Sequence, residues 1–224
     1  MILSSTSLFG TDGVRGTPGE FPLDERTLAR LGASIARTCR RSDDSLTVLI
    51  GRDTRESGEW ITGQLARGLA TEAASITNGG LLSTPAIAFL TRDGGFDAGI
   101  VVSASHNPFQ DNGVKVITGS GEKADDGLET RIAALVADQT WAVPASPVPS
   151  PETVACGEPY IAHTSRLFDG VEVPADLGIA VDCAHGATSQ IAPAVLRRLG
   201  MDPIVLHDAP DGRNINLDCG STHP

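Results

Sequence analysis

Residues 98–108 read Ala98-Gly99-Ile100-Val101-Val102-Ser103-Ala104-Ser105-His106-Asn107-Pro108. The first five are apolar or small and form a short continuous run, the pattern of a strand covered on both faces. Ser103 to Asn107 then replace the apolar side chains, and Pro108 cannot donate to a ladder, so the strand must stop there. A buried strand that ends in a polar loop is typical of sheets covered by helices, where functional groups collect at strand ends. Asp111-Asn112-Gly113-Val114-Lys115 follows, and its Asn-Gly pair reads as a tight turn that returns the chain with a lysine on it. A hydroxyl, an imidazole, a carboxamide and an ammonium thus fall within eleven residues of Ser105.

Working outward, helical and strand patterns alternate. Leu28, Leu31, Ile35 and Cys39 recur at helical spacing behind a cap at Asp24. Leu46 to Ile50 is an apolar run stopped by Gly51, and Trp60, Leu65 and Leu69 suit a following helix. Gly79-Gly80 and Thr84-Pro85 punctuate a turn before a short helix over Ile87–Leu90. Ile132, Leu135 and Val136 predict another helix starting near Asp126. Val143 to Pro151 (VPASPVPSP) has four prolines and no periodicity, as a stiff linker would. Beyond it, helices are expected over 160–168 and 192–199, with strands over 178–183 and 203–206. The expected fold class is α/β: a mixed, mainly parallel sheet sandwiched by helices, then a smaller and incomplete α/β second domain. The expected boundaries are 1–145, a linker at 146–155, and 156–224.

The chain has 224 residues, 40% of them apolar, and a formal net charge of -11. That composition suits a globular protein with a sizeable core. An acidic chain without a basic run argues against nucleic acid, since Arg40-Arg41 and Arg197-Arg198 are isolated pairs. A few cations converging in a cleft can still attract a small anion. No apolar stretch approaches the ~20 residues needed to span a bilayer, and Met1 to Leu8 lacks the basic start of a secretory signal. Cys39, Cys156, Cys183 and Cys219 are dispersed without a CxxC pair. The expectation is a cytoplasmic protein with reduced thiols and neither disulfides nor zinc.

Phe9-Gly10-Thr11-Asp12-Gly13-Val14-Arg15-Gly16 is a glycine-rich loop ending in an arginine, whose planar fork suits phosphate oxygens. The same composition also serves turns that bind nothing. Ser105 lacks a GxSxG elbow, which disfavours a serine hydrolase. Phosphoryl transfer demands mainly position and positive charge, which His106, Lys115 and Arg15 can supply. Gly119-Ser120-Gly121-Glu122-Lys123 lacks Walker spacing and reads as a hairpin turn. Gly51-Arg52-Asp53-Thr54-Arg55 is expected to hold an internal ion pair that anchors a loop. Asp182-Cys183-Ala184-His185-Gly186 ends a strand and could cap the next helix, with His185 a turn or interface residue.

Four segments in order resemble the amino-terminal half of the bacterial phosphoglucosamine mutases, a branch of the α-D-phosphohexomutase superfamily: FGTDGVRG (9–16), SASHNPFQDNGVK (103–115), VDCAHGATS (181–189) and NINLDCGSTHP (214–224). The resemblance implies a reversible shift of phosphate between O6 and O1 of glucosamine, in supply of cell-wall precursors. Ser105 would carry the phosphoryl group through a 1,6-bisphosphate intermediate. Ser105, His106, Lys115 and Arg15 would be catalytic. Thr11, Asp12, Gly13, Arg15, Asn107 and Lys115 would bind substrate phosphate, and Ser105 would contact Mg2+. The family's DGDGDR metal loop is not in this sequence, so most metal ligands are expected elsewhere and the chain is not expected to turn over alone. Implied partners are the phosphorylated amino sugar and its 1,6-bisphosphate, third and fourth domains beyond this chain, and a second copy in a homodimer. The competing readings are a non-catalytic phosphosugar-binding or scaffolding module, and a phosphoglucomutase or phosphomannomutase of the same superfamily.

Overall fold

A computed structural model describes residues 8–40, 45–174 and 177–223. The stretch read for a signal (1–7), Arg41 and Pro224 lie outside them. Five strands form the main sheet: β1 (Val14–Gly16), β2 (Thr47–Arg52), β3 (Ser75–Leu81), β4 (Ala98–Val102) and β5 (Asn112–Thr118). Their order is β1-β5-β4-β2-β3, with β3, β2 and β4 parallel and β5 and β1 added antiparallel. Helices α1 (Glu25–Cys39), α2 (Gly58–Thr71), α3 (Thr84–Asp93) and α4 (Asp126–Ala137) cover it.

Both faces of β4 are dry, and its side-chain alternation shows why. Ala98, Ile100 and Val102 join Leu28, Leu31 and Ile35 of α1, Leu65 and Leu69 of α2 and Ile132 of α4 in one core. Val101 points the other way, into a second core with Leu49, Ile87 and Leu90. A strand sandwiched in this manner has no polar face, which is why 98–102 reads as an unbroken apolar run. The Asp24 carboxylate accepts from Thr27 N at 3.0 Å and starts α1. Asp125 does the same for α4 through Leu128 N at 2.7 Å. Helices α1 and α2 cross at glycines: a Cβ on Gly68 would lie 1.8 Å from the Ala29 carbonyl oxygen, and one on Gly32 2.2 Å from that of Leu65.

After the proline-rich stretch come α5 (Gly157–Arg166), β6 (Ala180–Asp182), α6 (Ile191–Arg198) and β7 (Ile204–Leu206), then a 3-10 turn over Gly220–Thr222. Strands β6 and β7 pair in parallel. Ile191 and Val195 of α6, with Tyr160 and Ile161 of α5, pack into the second core beside α3. No described helix is long and apolar enough to cross a membrane.

Three local expectations change. Asn112-Gly113 is not a turn; both residues belong to β5, opposite Gly16 and Arg15, and the chain reverses through residues 103–111 instead. A Cβ on Gly113 would come within 2.8 Å of the Val14 and Ser103 carbonyl oxygens, so the glycine serves a close strand approach. Gly79-Gly80 lies inside β3, where the register against β2 shifts and Gly80 takes φ +67. Asp182 does not cap α6, whose N-cap is Gln190; it accepts from Ala184 N within its own turn.

Candidate active site

The loop after β4 is held open by its backbone. Ser105 has φ 54, a left-handed conformation that costs a non-glycine residue about 1 kcal/mol or more. Such a conformer persists only where its surroundings over-determine it. Here Arg55 supplies them. Its guanidinium is fully buried, and its Nε donates to Asp53 Oδ2 at 2.9 Å. Its Nη2 donates to the carbonyls of Ser105 (3.0 Å) and Asn107 (2.9 Å). Its Nη1 donates to Asp111 O at 3.0 Å and to Pro108 O. Asp53 Oδ2 also accepts from Ser103 Oγ at 2.7 Å, and Ser103 Oγ accepts from Ser105 N at 3.0 Å. The expected internal ion pair of the 51–55 segment is therefore present, and it grips the Ser105 loop directly. Arg52 instead turns away to Glu59, 2.6 Å distant.

The side chain of Ser105 is exposed and faces two cations. Arg15 Nη2 lies 3.4 Å and Lys115 Nζ 3.3 Å from its Oγ. Lys115 comes from β5, the strand antiparallel to β4. Arg15 sits on β1 at the edge of the sheet, so the segment read as a glycine-rich loop delivers its arginine from a strand. Asp12 Oδ2 bridges the pair, 2.6 Å from Arg15 and 2.8 Å from Lys115. Partial burial pushes the Asp12 carboxyl up, but the hydrogen bonds and charges of Lys115 and Arg15 outweigh it and hold the group below the ordinary carboxylate range. Arg15 Nη1 further donates to Asn107 Oδ1 (2.9 Å) and Ala104 O (3.1 Å), and Asn107 Nδ2 donates to Asp111 Oδ2 (2.8 Å).

Ser105, Arg15, Lys115, Asp12 and Asn107 are thus gathered within hydrogen-bond reach. Thr11, Gly13 and His106 are less intimately placed. Together with Asp12, Arg15, Phe21 and Pro22 they line an open cavity of about 610 Å³ beside the cluster. Gly13 adopts φ +90, and a Cβ there would strike Val114 O at 2.5 Å and crowd Lys115, so only glycine fits behind the lysine. Asn216, from the stretch after β7, reaches the same loop: its Nδ2 donates to Ser105 O at 2.9 Å and Asn107 O at 3.1 Å. Asn216 and Ser103 lie in the segments 214–224 and 103–115, but nothing in those segments marks either side chain as a holder of the Ser105 backbone.

The oxygen donors around Ser105 do not fit a resident Mg2+. Magnesium needs several unencumbered oxygens, commonly one or two carboxylates. Asp12 and Asp53 are committed to guanidinium or ammonium partners and Asp111 to Asn107, which leaves the neutral Ser105 Oγ. Elsewhere, Asp182, His207 and Cys219 place one ligand-type atom each within 4.8 Å of one another. There Asp182 accepts from Ala184 N (2.8 Å) and Gly220 N (2.9 Å) and meets His207 Nδ1 at 3.1 Å. Those bonds make it a clasp between the ends of β6 and β7 and the 3-10 turn.

Residues 6–142 match the family described as phosphoglucomutase/phosphomannomutase, alpha/beta/alpha domain I. Among curated relatives, a phosphoglucosamine mutase of Solibacter usitatus is 40% identical over 219 residues, covering 96% of this chain and 48% of its own. One of Moorella thermoacetica is 42% identical over 227 residues, covering 97% and 49%. The chain spans about half the length of the curated relatives it matches. Among solved structures, a phosphoglucomutase/phosphomannomutase family protein of Burkholderia thailandensis superposes with a TM-score of 0.75 at 24% identity, over 94% of this chain and 46% of that one. At that identity the likeness speaks for the fold.

Proposed function

The chain belongs to the phosphoglucomutase/phosphomannomutase family, and from that premise we propose that it supplies the phosphoryl-carrying serine of a phosphoglucosamine mutase. The reaction is the interconversion of glucosamine 6-phosphate and glucosamine 1-phosphate through glucosamine 1,6-bisphosphate. The observation that carries this reading is the placement of Ser105 Oγ, exposed on a clamped loop and 3.3–3.4 Å from both Lys115 and Arg15. The curated relatives named phosphoglucosamine mutase support the choice of sugar.

In one half-reaction the free hydroxyl of the monophosphate attacks the phosphorus carried on Ser105. A new P–O bond forms to the sugar and the P–Oγ bond breaks. Overall, one proton passes from the sugar hydroxyl to Oγ. Lys115 is the proton carrier nearest Oγ, while the planar Arg15 guanidinium steadies the phosphoryl oxygens. Phosphoryl transfer relies on positioning and charge more than on covalent chemistry, and this site offers both. Asp12 offsets part of the charge of the two cations when Oγ is bare. A phosphoryl dianion on Oγ would compete with its carboxylate for them. His106, Thr11 and Gly13 border the cavity in which the sugar would sit.

The division near residues 146–155 would separate this phosphoryl-carrying unit from the one that follows. Full turnover is assigned to a protein that adds metal ligands and sugar-binding parts, in a reducing, cytoplasmic setting. The alternative of a non-catalytic phosphosugar-binding module draws on the poor fit to Mg2+ within this chain. The test uses chain phosphorylated on Ser105 and offered glucosamine 6-phosphate, glucose 6-phosphate or mannose 6-phosphate with Mg2+. Loss of the protein phosphate should be fastest to glucosamine 6-phosphate, with the 1,6-bisphosphate appearing in equal amount. Faster transfer to mannose or glucose phosphate would move the chain to another branch, and no transfer at all would favour the binding module.

A further inference from the structure

The Ser105 and Asn107 carbonyls each accept two hydrogen bonds, and in both cases one comes from Arg55 and the other from Asn216. The two donors belong to different parts of the molecule. Arg55 follows β2 of the main sheet, whereas Asn216 lies beyond β7, more than a hundred residues from the loop it holds. A carboxamide nitrogen has two N–H groups, so one Asn216 side chain can serve both carbonyls at once.

Asn216 is itself fixed. It has φ 59, a left-handed conformation that asparagine tolerates better than most residues, and its N donates to Ala184 O at 3.0 Å. That 182–186 turn is pinned to the turn after β2 by Thr54 Oγ1, which donates to His185 O at 2.6 Å. Nearby, Glu56 N donates to Gly212 O at 3.0 Å and the Glu56 carboxylate meets Arg213 at 2.7 Å. The second unit therefore touches the turn that bears Arg55 and, through one side chain, the backbone of the strained residue.

We propose that Asn216 is a positioning residue for phosphoryl transfer at Ser105. By fixing the carbonyls on either side of His106 it holds Ser105 left-handed and keeps Oγ aimed between Arg15 and Lys115. The second unit is then a working part of the site. Because Arg55 still satisfies both carbonyls when Asn216 is lost, the damage falls on the placement of the loop rather than on the fold. The phosphoryl-transfer half of this proposal rests on the function proposed above; the clamp itself rests on the hydrogen bonds alone.

Two variants of the full chain test it. Asn216→Asp keeps the shape and the left-handed preference but removes both donors, and Asn216→Gly keeps the backbone freedom and removes the side chain. Hydrogen–deuterium exchange should speed up about tenfold over residues 103–111 in both, with β4 and the thermal midpoint unchanged. Single-turnover labelling of Ser105 from glucosamine 1,6-bisphosphate should slow about tenfold at saturation, with the half-saturating concentration unchanged. Exchange over 103–111 equal to wild type would overturn the clamp. Altered exchange with wild-type labelling would overturn the positioning role. A wild-type chain that takes up no phosphate would defeat the proposed function and the positioning role with it, and exchange alone would still decide the clamp.

Discussion

The two sheets among the described residues share one α/β alternation but differ in what they bury. Every residue of β4 is buried, and the strand contributes to cores on both faces. In the β6–β7 pair the first and last residues of each strand are exposed, and Ile204 is 67% exposed. Leu217 and Leu206 are exposed as well. The first sheet can hold a residue in a costly conformation because the loop beside it is tied to a buried guanidinium standing on a saturated core. The second is thinly packed and acts on the site through hydrogen bonds, chiefly those of Asn216. Accuracy at Ser105 therefore comes from buried polar anchoring, and apolar packing serves to keep that anchor still.

The sharpest way to break this comparison is Arg55→Ala. It leaves Asp53 buried without its partner and strips four loop carbonyls of a donor. The expected loss is about 3–5 kcal/mol in urea unfolding; a loss below about 1 kcal/mol would mean that the loop is held some other way. Next comes Ile100→Ala in β4, fully buried in the larger core, with an expected cost of about 2–5 kcal/mol. Its counterpart Ile204→Ala in β7 should change stability by about 0.5 kcal/mol or less. Similar costs at the two isoleucines would erase the distinction between the sheets.

The strands and helices of the main sheet were legible because burial on both faces turns strands into apolar runs and caps leave their aspartates at the right spacing. Asp24 before α1 and the run at 98–102 are the clearest cases. Glycine misled twice. At Gly79-Gly80 and Gly113 it marks a bulge and a close strand approach, and local sequence does not separate these from turns. The cluster around Ser105 was legible in its cations, since Arg15 and Lys115 stand in distinctive segments and meet the same oxygen. Asn216 belongs to the 214–224 segment, yet that segment carries no sign of its bonds to the Ser105 loop. A side chain that binds main-chain carbonyls recognises no residue type, so its partners impose no pattern on the sequence.

The central claim is that Ser105 accepts and passes on a phosphoryl group. The direct measurement is intact-mass analysis, followed by peptide mapping, of the chain and its Ser105→Ala variant after incubation with glucosamine 1,6-bisphosphate and Mg2+. The expected result is one added phosphate, about 80 Da, mapped to Ser105 and absent from a variant that melts at the wild-type temperature. An unmodified wild-type chain, or a phosphate that the variant still acquires, would contradict the account.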